Sequence, residues 1–230
     1  MTQATLSDLV LRIASAEPGA LSHWMVSNDR YARRLSGSEI DVLAASALAD
    51  GEFAAKALKI DHSPEGIAAL ASELGISVIE VDGEIDVAGH VFSADYRPNP
   101  PRIRLYTRAL AAIDRGLADP RIAEIIGATR ALPVLLAHEI YHHLDFVRPT
   151  TLTQRHSVTS LRLGPLHLKT ELPSLAEVAA GRFAAALLGL HCHPRVLDLL
   201  LLWDGNPQRA EAWVEASGAF APRLLQQETV

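Results

Sequence analysis

Apolar residues recur along the chain at two different periods, which separate helical from strand-forming segments. Residues 1–62 repeat apolar positions three and four residues apart, as in LSDLVLRIASA and SEIDVLAASALADGEFAAKALKI, which is the period of an amphipathic helix. In SPEGIAALASELG, Ser63 has the residue type of a helix N-cap, and Gly75 ends the pattern. After Thr107 the pattern is helical again, apart from a long polar connection over residues 147–173.

Three short segments between these helical regions have the composition of β-strands. ISVIEV is rich in β-branched residues, IDVAGHVFSADY follows it after the turn sequence DGE, and RIRLYT, residues 102–107, alternates polar and apolar side chains. We therefore predict an α+β fold that is mainly helical, with a small, largely antiparallel sheet of three strands. Residues 1–62 would form a helical N-terminal region of unknown role, and residues 63–230 would form the domain that contains the sheet.

The composition is that of an ordinary globular protein. The 230 residues are 49% hydrophobic and 21% charged, a length and balance that allow a full core to be buried. The formal net charge of −6 gives no basic surface for nucleic acid, and no apolar run reaches the ~18 residues of a membrane span. Cys192 is the only cysteine and the N-terminus lacks a signal-peptide pattern. We therefore expect a cytoplasmic protein with no disulfide, no membrane attachment and no direct binding of nucleic acid.

One predicted helix carries many polar residues on an apolar background. The segment LPVLLAHEIYHHLDF, residues 132–146, places His138 and His142 four positions apart, which puts both imidazoles on one helix face, about 6 Å apart along the axis. With Glu139 they form H-E-x-x-H, in which two histidines bind a metal ion and the glutamate takes a proton from the water that the metal activates. The segment therefore predicts a Zn²⁺ site, with Mn²⁺ or Fe²⁺ as alternatives.

A catalytic site of this kind needs a third protein ligand, so that the fourth position stays open for water. The best candidate is Glu177 in SLAEVAAGRFAAALLGL. Three small residues share its helix face and would let the two helices approach closely; they are Ala180, Gly181 and Ala184. The alternative is a capping box, in which Glu177 pairs with Ser174 at the start of its own helix. We prefer the role of metal ligand because the H-E-x-x-H motif requires one.

Two segments, HEIYHHL and, after the polar connection, EVAAGRFAAALL, together resemble the ImmA/IrrE-type family of zinc-dependent metallopeptidases. The second helix of that family typically reads E-x-x-A-N-x-F-A-A-x-L-L. Glu177 and Phe183 stand at family positions, whereas Gly181 replaces the usual Asn. ALASELGISVIEV and RIRLY also fit the family, so the resemblance covers residues 64–190.

The resemblance implies a zincin-like fold, in which the small sheet packs on the helix of H-E-x-x-H, and a hydrolase that cleaves peptide bonds. By position, it implies His138, His142 and Glu177 as metal ligands and Glu139 as the general base. Family members often cleave repressors that contain a DNA-binding helix-turn-helix domain, so the expected partner is a protein or peptide substrate such as a repressor. The alternative is a catalytically silent metal-binding module of the same fold, with a regulatory or interaction role.

Other polar residues have open roles. Four side chains are candidates for the donor that would stabilise an oxyanion: His156, His167, Tyr141 and Tyr96. Asp145 would either orient an imidazole or form hydrogen bonds at the helix end. HCHP, residues 191–194, is more typical of a loop with a buried thiol than of a second metal site. An extended substrate would pair with the strand at residues 102–107 by β-augmentation.

Overall fold

Helices make up most of the chain, and short strands form three small sheets. A computed structural model describes residues 4–16, 18–58, 63–83, 85–87, 90–163 and 166–217. The helices in chain order are α1 Leu6–Ala14, α2 Pro18–Ser27, α3 Gly37–Ala57, α4 Pro64–Glu73, α5 Thr107–Leu117, α6 Pro120–Ile126, α7 Ala131–Phe146, α8 Leu152–Arg155, α9 Pro173–Leu188, α10 Val196–Gly205 and α11 Pro207–Ala216, with a short 3-10 helix at Ala32–Arg34. The strands are β1 Ser77–Val81, β2 Ile85–Val87, β3 His90–Phe92, β4 Ala94–Pro98, β5 Pro101–Tyr106, β6 Val158–Leu163 and β7 Leu166–Thr170.

The largest sheet has three strands in the order β1, β5, β4. β1 runs parallel to β5, with Val78 opposite Ile103, and β4 runs antiparallel to β5, with Asp95 opposite Arg104. The α+β class and the mainly helical content are confirmed, but the sheet is mixed rather than largely antiparallel. The reason is the hairpin between β4 and β5, which turns the chain back so that β5 runs in the direction of β1.

The position of β5 corrects one prediction. β5 lies in the middle of the sheet with a strand on each side, so the prediction that residues 102–107 pair with a substrate is wrong. The polar Arg104 of this alternating segment donates two hydrogen bonds to Asp95 on β4, at 2.8 and 2.9 Å. A polar side chain is therefore satisfied by its cross-strand neighbour. Among the described strands, the sheet edge that contacts α7 is β4.

Two further hairpins lie outside this sheet. β2 pairs with β3, and β6 pairs with β7, both antiparallel. The polar connection over residues 147–173 was predicted without secondary structure, and this prediction is wrong: it contains α8 and the β6–β7 hairpin. The segments VTSLRL and LHLKT alternate polar and apolar residues, which is the strand pattern, but they pair only with each other and not with the larger sheet.

α9 packs against both α3 and α7. A β-carbon added to Gly51 of α3 would lie 2.1 Å from the carbonyl oxygen of Ala179 in α9, so the two backbones are in direct contact. On another side of α9, the ring of Phe183 lies 5.7 Å from the ring of Tyr141 in α7. The predicted boundary at residue 62 stays a prediction, but α3 shares a core with the helices that carry the predicted metal ligands.

Asp50 of α3 anchors α7 and the connection that follows it. Its carboxylate accepts a hydrogen bond from the Tyr141 hydroxyl at 2.7 Å and one each from Arg148 and Arg155 at 2.6 Å. Burial raises the pKa of Asp50, but these three donors outweigh burial and hold the pKa below its usual value. The start of the polar connection is therefore tied to α3.

Replacing Asp50 tests this anchor. In Asp50→Asn, Arg148 and Arg155 lose the Asp50 carboxylate. We expect the free energy of unfolding at pH 7 to fall by about 2–3 kcal/mol, less than for a fully buried ion pair because solvent screens the partly exposed Arg155. The lowered pKa makes the contribution of Asp50 present above about pH 4 and lost as the pH falls through the folded-state pKa. Urea unfolding of both proteins at pH 7 and in acid should show the difference shrinking in acid.

The control for this measurement is Asp41→Asn. The carboxylate of Asp41 is 68% exposed and pairs only with His23 among its charged neighbours in the described structure, so we expect a change below about 1 kcal/mol. An Asp50→Asn protein as stable as the wild type at pH 7 would show that the network contributes nothing.

Gly51→Ala tests the contact between α3 and α9. Alanine normally stabilises a helix interior by about 1 kcal/mol relative to glycine, but here the methyl group would overlap the Ala179 carbonyl. We expect the free energy of unfolding to fall by about 1–3 kcal/mol, as in other overpacked cores. The matched control is Gly19→Ala in α2, where nothing lies within 4 Å of the added β-carbon. Equal effects of the two substitutions in urea unfolding would contradict the close approach.

Candidate metal centre

His138 and His142 of α7 meet Glu177 of α9 at the contact between the two helices. The Nε2 atoms of the two histidines are 3.2 Å apart, and carboxylate oxygens of Glu177 lie 3.3 Å from His138 Nε2 and 3.5 Å from His142 Nε2. Ala180 and Ala184 are fully buried, and their small side chains let another helix pack closely against α9 beside the carboxylate. In the part of the chain that the structure describes, these three residues form the group whose ligand atoms lie within 4.8 Å of one another and could hold a metal ion.

The three separations fit a tetrahedral metal site. Ligands placed 2.0–2.1 Å from zinc at tetrahedral corners are about 3.3–3.4 Å apart, and the observed separations are 3.2, 3.3 and 3.5 Å. Two imidazoles and one carboxylate are also a common donor set of catalytic zinc sites. The side chains of the histidines are 20–21% exposed and that of Glu177 is 44% exposed, so the group is open on one side to a further ligand.

The charges of these side chains favour a cation between them. Burial lowers the pKa of His138, but the hydrogen bond to Glu177 and its negative charge outweigh burial and raise the pKa. Burial lowers the pKa of His142 to about 4. Burial raises the pKa of Glu177, but the two histidines outweigh it and hold the pKa well below its usual value. The carboxylate therefore stays charged and favours a positive charge beside the two imidazoles, either a proton on His138 or a metal cation that replaces this proton.

Glu139 lies next to His138 in α7 and is only 6% exposed. Burial raises the pKa of Glu139 to about 7; the charge of His138 and the backbone amide of Tyr96 on β4 oppose this shift, while the charges of Glu177 and Asp95 add to it. A carboxyl group with a pKa near 7 can both take and release a proton at neutral pH. Glu139 therefore has the environment of a general base.

The capping-box alternative for Glu177 is not observed. α9 begins at Pro173, and its N-cap residue Leu172 makes no side-chain hydrogen bond to the helix. The backbone amide of Ser174 donates to Asp29 at 3.2 Å, and the Ser174 hydroxyl has no hydrogen-bond partner in the described structure. The carboxylate of Glu177 contacts the two histidines instead.

Three of the four residues predicted to stabilise an oxyanion have other partners. Tyr141 donates to Asp50, Tyr96 Oη lies 2.8 Å from His143 Nδ1, and His156 Nε2 lies 2.9 Å from Ser46 Oγ. His167 belongs to β7, and its side chain lies outside the part of the structure that is described. Each of the three described side chains therefore has at least one polar atom paired with the surrounding fold.

Asp145 acts at the helix end. Its carboxylate accepts hydrogen bonds from the Leu152 backbone amide at 2.9 Å and from Arg148 at 3.2 Å. Of its two predicted roles, hydrogen bonding at the helix end is the one observed. Asp145 thus fixes the first residue of α8 and not the orientation of an imidazole.

The return of the chain to the candidate metal centre after α9 was not predicted from the sequence. A β-carbon added to Gly181 would lie 2.2 Å from Nε2 of His193, so this ring stands directly on α9, one turn after Glu177. Burial lowers the pKa of His193 to about 3, and the charges of His138 and Glu177 also act on it. The available signal was Gly181 itself, because a glycine on the helix face of Glu177 leaves room for another side chain.

The HCHP segment forms the loop between α9 and α10, as predicted. The thiol of Cys192 is partly buried, and burial raises its pKa to about 12, so it is protonated and unreactive at neutral pH. The Nδ1 atom of His191 lies 2.9 Å from the carbonyl oxygen of Glu124. Within the described residues, the loop adds no second group of metal ligands.

Comparisons with known proteins identify no relative. No family model, no curated protein and no solved structure matches this chain. Among the described residues, no helix is long and apolar enough to cross a membrane. The case for a metal site therefore rests on the geometry, charge and exposure of His138, His142 and Glu177.

Metal content tests the ligand role of Glu177. We expect the wild-type protein, purified without added metal, to hold close to one equivalent of a divalent metal by elemental mass spectrometry, and Glu177→Ala to hold much less because one of three ligands is lost. The control is Glu73→Ala, which removes an exposed carboxylate from α4 and should leave the metal content unchanged. Equal metal in wild type and Glu177→Ala would exclude Glu177 as a ligand.

Proposed function

We propose that this protein is a zinc-dependent metallopeptidase. The observation that carries the proposal is the buried carboxylate of Glu139 beside an open group of two imidazoles and one carboxylate. The separations between donor atoms are those of zinc ligands, and the H-E-x-x-H sequence supports zinc over Mn²⁺ or Fe²⁺. The resemblance to the ImmA/IrrE-type family supports the same activity.

Each residue of the centre has a role in this proposal. His138, His142 and Glu177 would hold the metal through Nε2 atoms and a carboxylate oxygen. A bound zinc ion would supply a Lewis acid that polarises a peptide carbonyl and lowers the pKa of water. Glu139 takes a proton from the attacking water and passes it to the leaving amine, for which a pKa of about 7 is suited.

The edge of β4 is the proposed position of the substrate, in place of β5. β4 is an edge strand and contacts α7. The backbone amide of Tyr96 on β4 donates a hydrogen bond to Glu139, so this strand lies beside the candidate centre. Pro98 has no amide hydrogen and ends the strand, which limits pairing to a short extended segment. A protein with an exposed, extended segment fits this edge, and a DNA-binding repressor is one such candidate from the family.

The main rival is a metal-binding module without catalysis. A module that only needs a metal has no use for a buried carboxylate beside its first ligand, because burying an ionisable group costs free energy. Burial raises the pKa of Glu139 to about 7, and this shift reflects the free energy needed to keep the charged carboxylate buried. Glu139 therefore favours the hydrolase over the silent module.

Glu139→Gln tests the general base. The amide keeps the shape of the side chain but cannot take a proton, so we expect zinc content to stay the same and peptide cleavage to fall about a hundredfold or more. Cleavage would be followed by mass spectrometry on a mixture of unstructured peptides incubated with the zinc-loaded protein. Glu80→Gln, on the exposed face of β1, is the matched control and should cleave like the wild type.

Two results would contradict the proposal. Retained cleavage in Glu139→Gln would remove Glu139 from the mechanism. Absence of cleavage by a wild-type protein that holds one equivalent of zinc, across the peptide mixture and an unfolded protein, would favour the silent module.

A further inference from the structure

The ring of His193 occupies a defined place beside the metal centre. Gly181 follows Glu177 by one turn of α9, so the two residues share a helix face. A β-carbon at Gly181 would lie 2.2 Å from both Nε2 and Cε1 of His193, well inside contact distance. The edge of the imidazole therefore rests on the helix backbone, on the face that carries a metal ligand.

The loop fixes which ring nitrogen carries the proton. The backbone amide of Arg195 donates a hydrogen bond to Nδ1 of His193 at 3.1 Å. A nitrogen that accepts a hydrogen bond carries no proton, so the neutral ring has its proton on Nε2. Nε2–H is thus a hydrogen-bond donor held in place by the backbone of the loop.

This donor has no hydrogen bond of normal geometry in the described structure. Nε2 of His193 is a buried atom without such a bond, and the backbone carbonyl of Val178 on α9 is a weak acceptor that raises the pKa of the ring. Buried donors are almost always well paired with protein, water or a ligand. A buried donor with only this weak backbone interaction, next to an open group of candidate metal ligands, indicates that a stronger acceptor arrives with the bound ligand.

We propose that Nε2–H of His193 is the hydrogen-bond donor for a carbonyl-type oxygen of the molecule bound at His138, His142 and Glu177. In the hydrolase, that oxygen is the carbonyl of the scissile peptide bond, whose negative charge grows as water attacks. The inference rests on the proposed metal centre. It replaces the three described candidates of the sequence analysis, since Tyr141, Tyr96 and His156 already have partners.

Binding of acetohydroxamate to the Co²⁺-loaded protein tests the donor without any substrate. Acetohydroxamate presents a carbonyl oxygen to a metal centre, and Co²⁺ makes binding visible in the absorption spectrum. His193→Phe keeps a ring but removes the donor, so we expect acetohydroxamate to bind about tenfold more weakly, the effect of one hydrogen bond. Co²⁺ affinity, measured by competition with a chelator, should be unchanged because His193 is not a ligand.

Three further variants control this result. His193→Gln retains an N–H donor on a shorter side chain, and we expect it to recover part of the lost affinity. Gly181→Ala displaces the ring by placing a methyl group 2.2 Å from Nε2, and should weaken acetohydroxamate binding while His193 is still present. Gly19→Ala, whose added methyl group meets nothing within 4 Å, should bind like the wild type.

The outcomes separate this inference from the metal centre itself. Wild-type affinity for acetohydroxamate in both His193→Phe and Gly181→Ala would overturn the role of His193 and leave the metal centre standing. Loss of Co²⁺ binding in His193→Phe, with the fold intact by circular dichroism, would make His193 a metal ligand and overturn the inference as stated. Failure of the wild-type protein to bind Co²⁺ would overturn both.

Discussion

The contact of α9 with two other helices is the constraint on which the candidate metal centre depends. The carboxylate of Glu177 must lie within 3.5 Å of two imidazoles that belong to α7, so a displacement of α9 by about 1 Å would disrupt the site. α3 holds α9 from one side through backbone contact at Gly51, and Phe183 packs against Tyr141 of α7. α3 therefore positions the candidate ligand Glu177, and no described side chain of the N-terminal region belongs to the group of candidate ligands.

The polar residues of α7 divide into two groups by their partners. His143 lies within hydrogen-bond distance of Tyr96, Asp145 caps α8 through Leu152, and Tyr141 donates to Asp50. These side chains are paired with the surrounding structure, which compensates their burial. The three residues of the H-E-x-x-H motif differ, because the two histidines contact mainly each other and Glu177, while burial raises the pKa of Glu139. The polar residues that the fold alone does not explain are therefore those that the proposed chemistry uses.

The parts of the site that follow from local spacing could be predicted from the sequence, and those that depend on chain reversal could not. The four-residue spacing on one helix identified His138 and His142 as candidate ligands, and the small residues on one helix face identified Glu177 as the third. The pairing of β5 on both edges could not be predicted, because the alternation in RIRLYT identifies a strand but not its place in a sheet. The position of His193 beside α9 was not predicted, because α9 ends at Gly189 in the left-handed conformation. No periodic sequence pattern predicts the direction of the chain after such a turn.

The glycine at position 181 and the position of His193 are one structural feature. An Asn at residue 181 would already collide with the imidazole at its β-carbon, which would lie 2.2 Å from Nε2. A chain with that Asn must place the loop after α9 elsewhere, whereas a chain with glycine can bring a histidine down onto the helix. The amide of Arg195 then fixes the ring through Nδ1, so the polar group above this turn of α9 comes from the loop and not from the helix. In the proposed role of His193, the loop between α9 and α10 performs the polar function that a side chain on α9 would otherwise supply, and a residue larger than glycine at position 181 requires the ring of His193 to move.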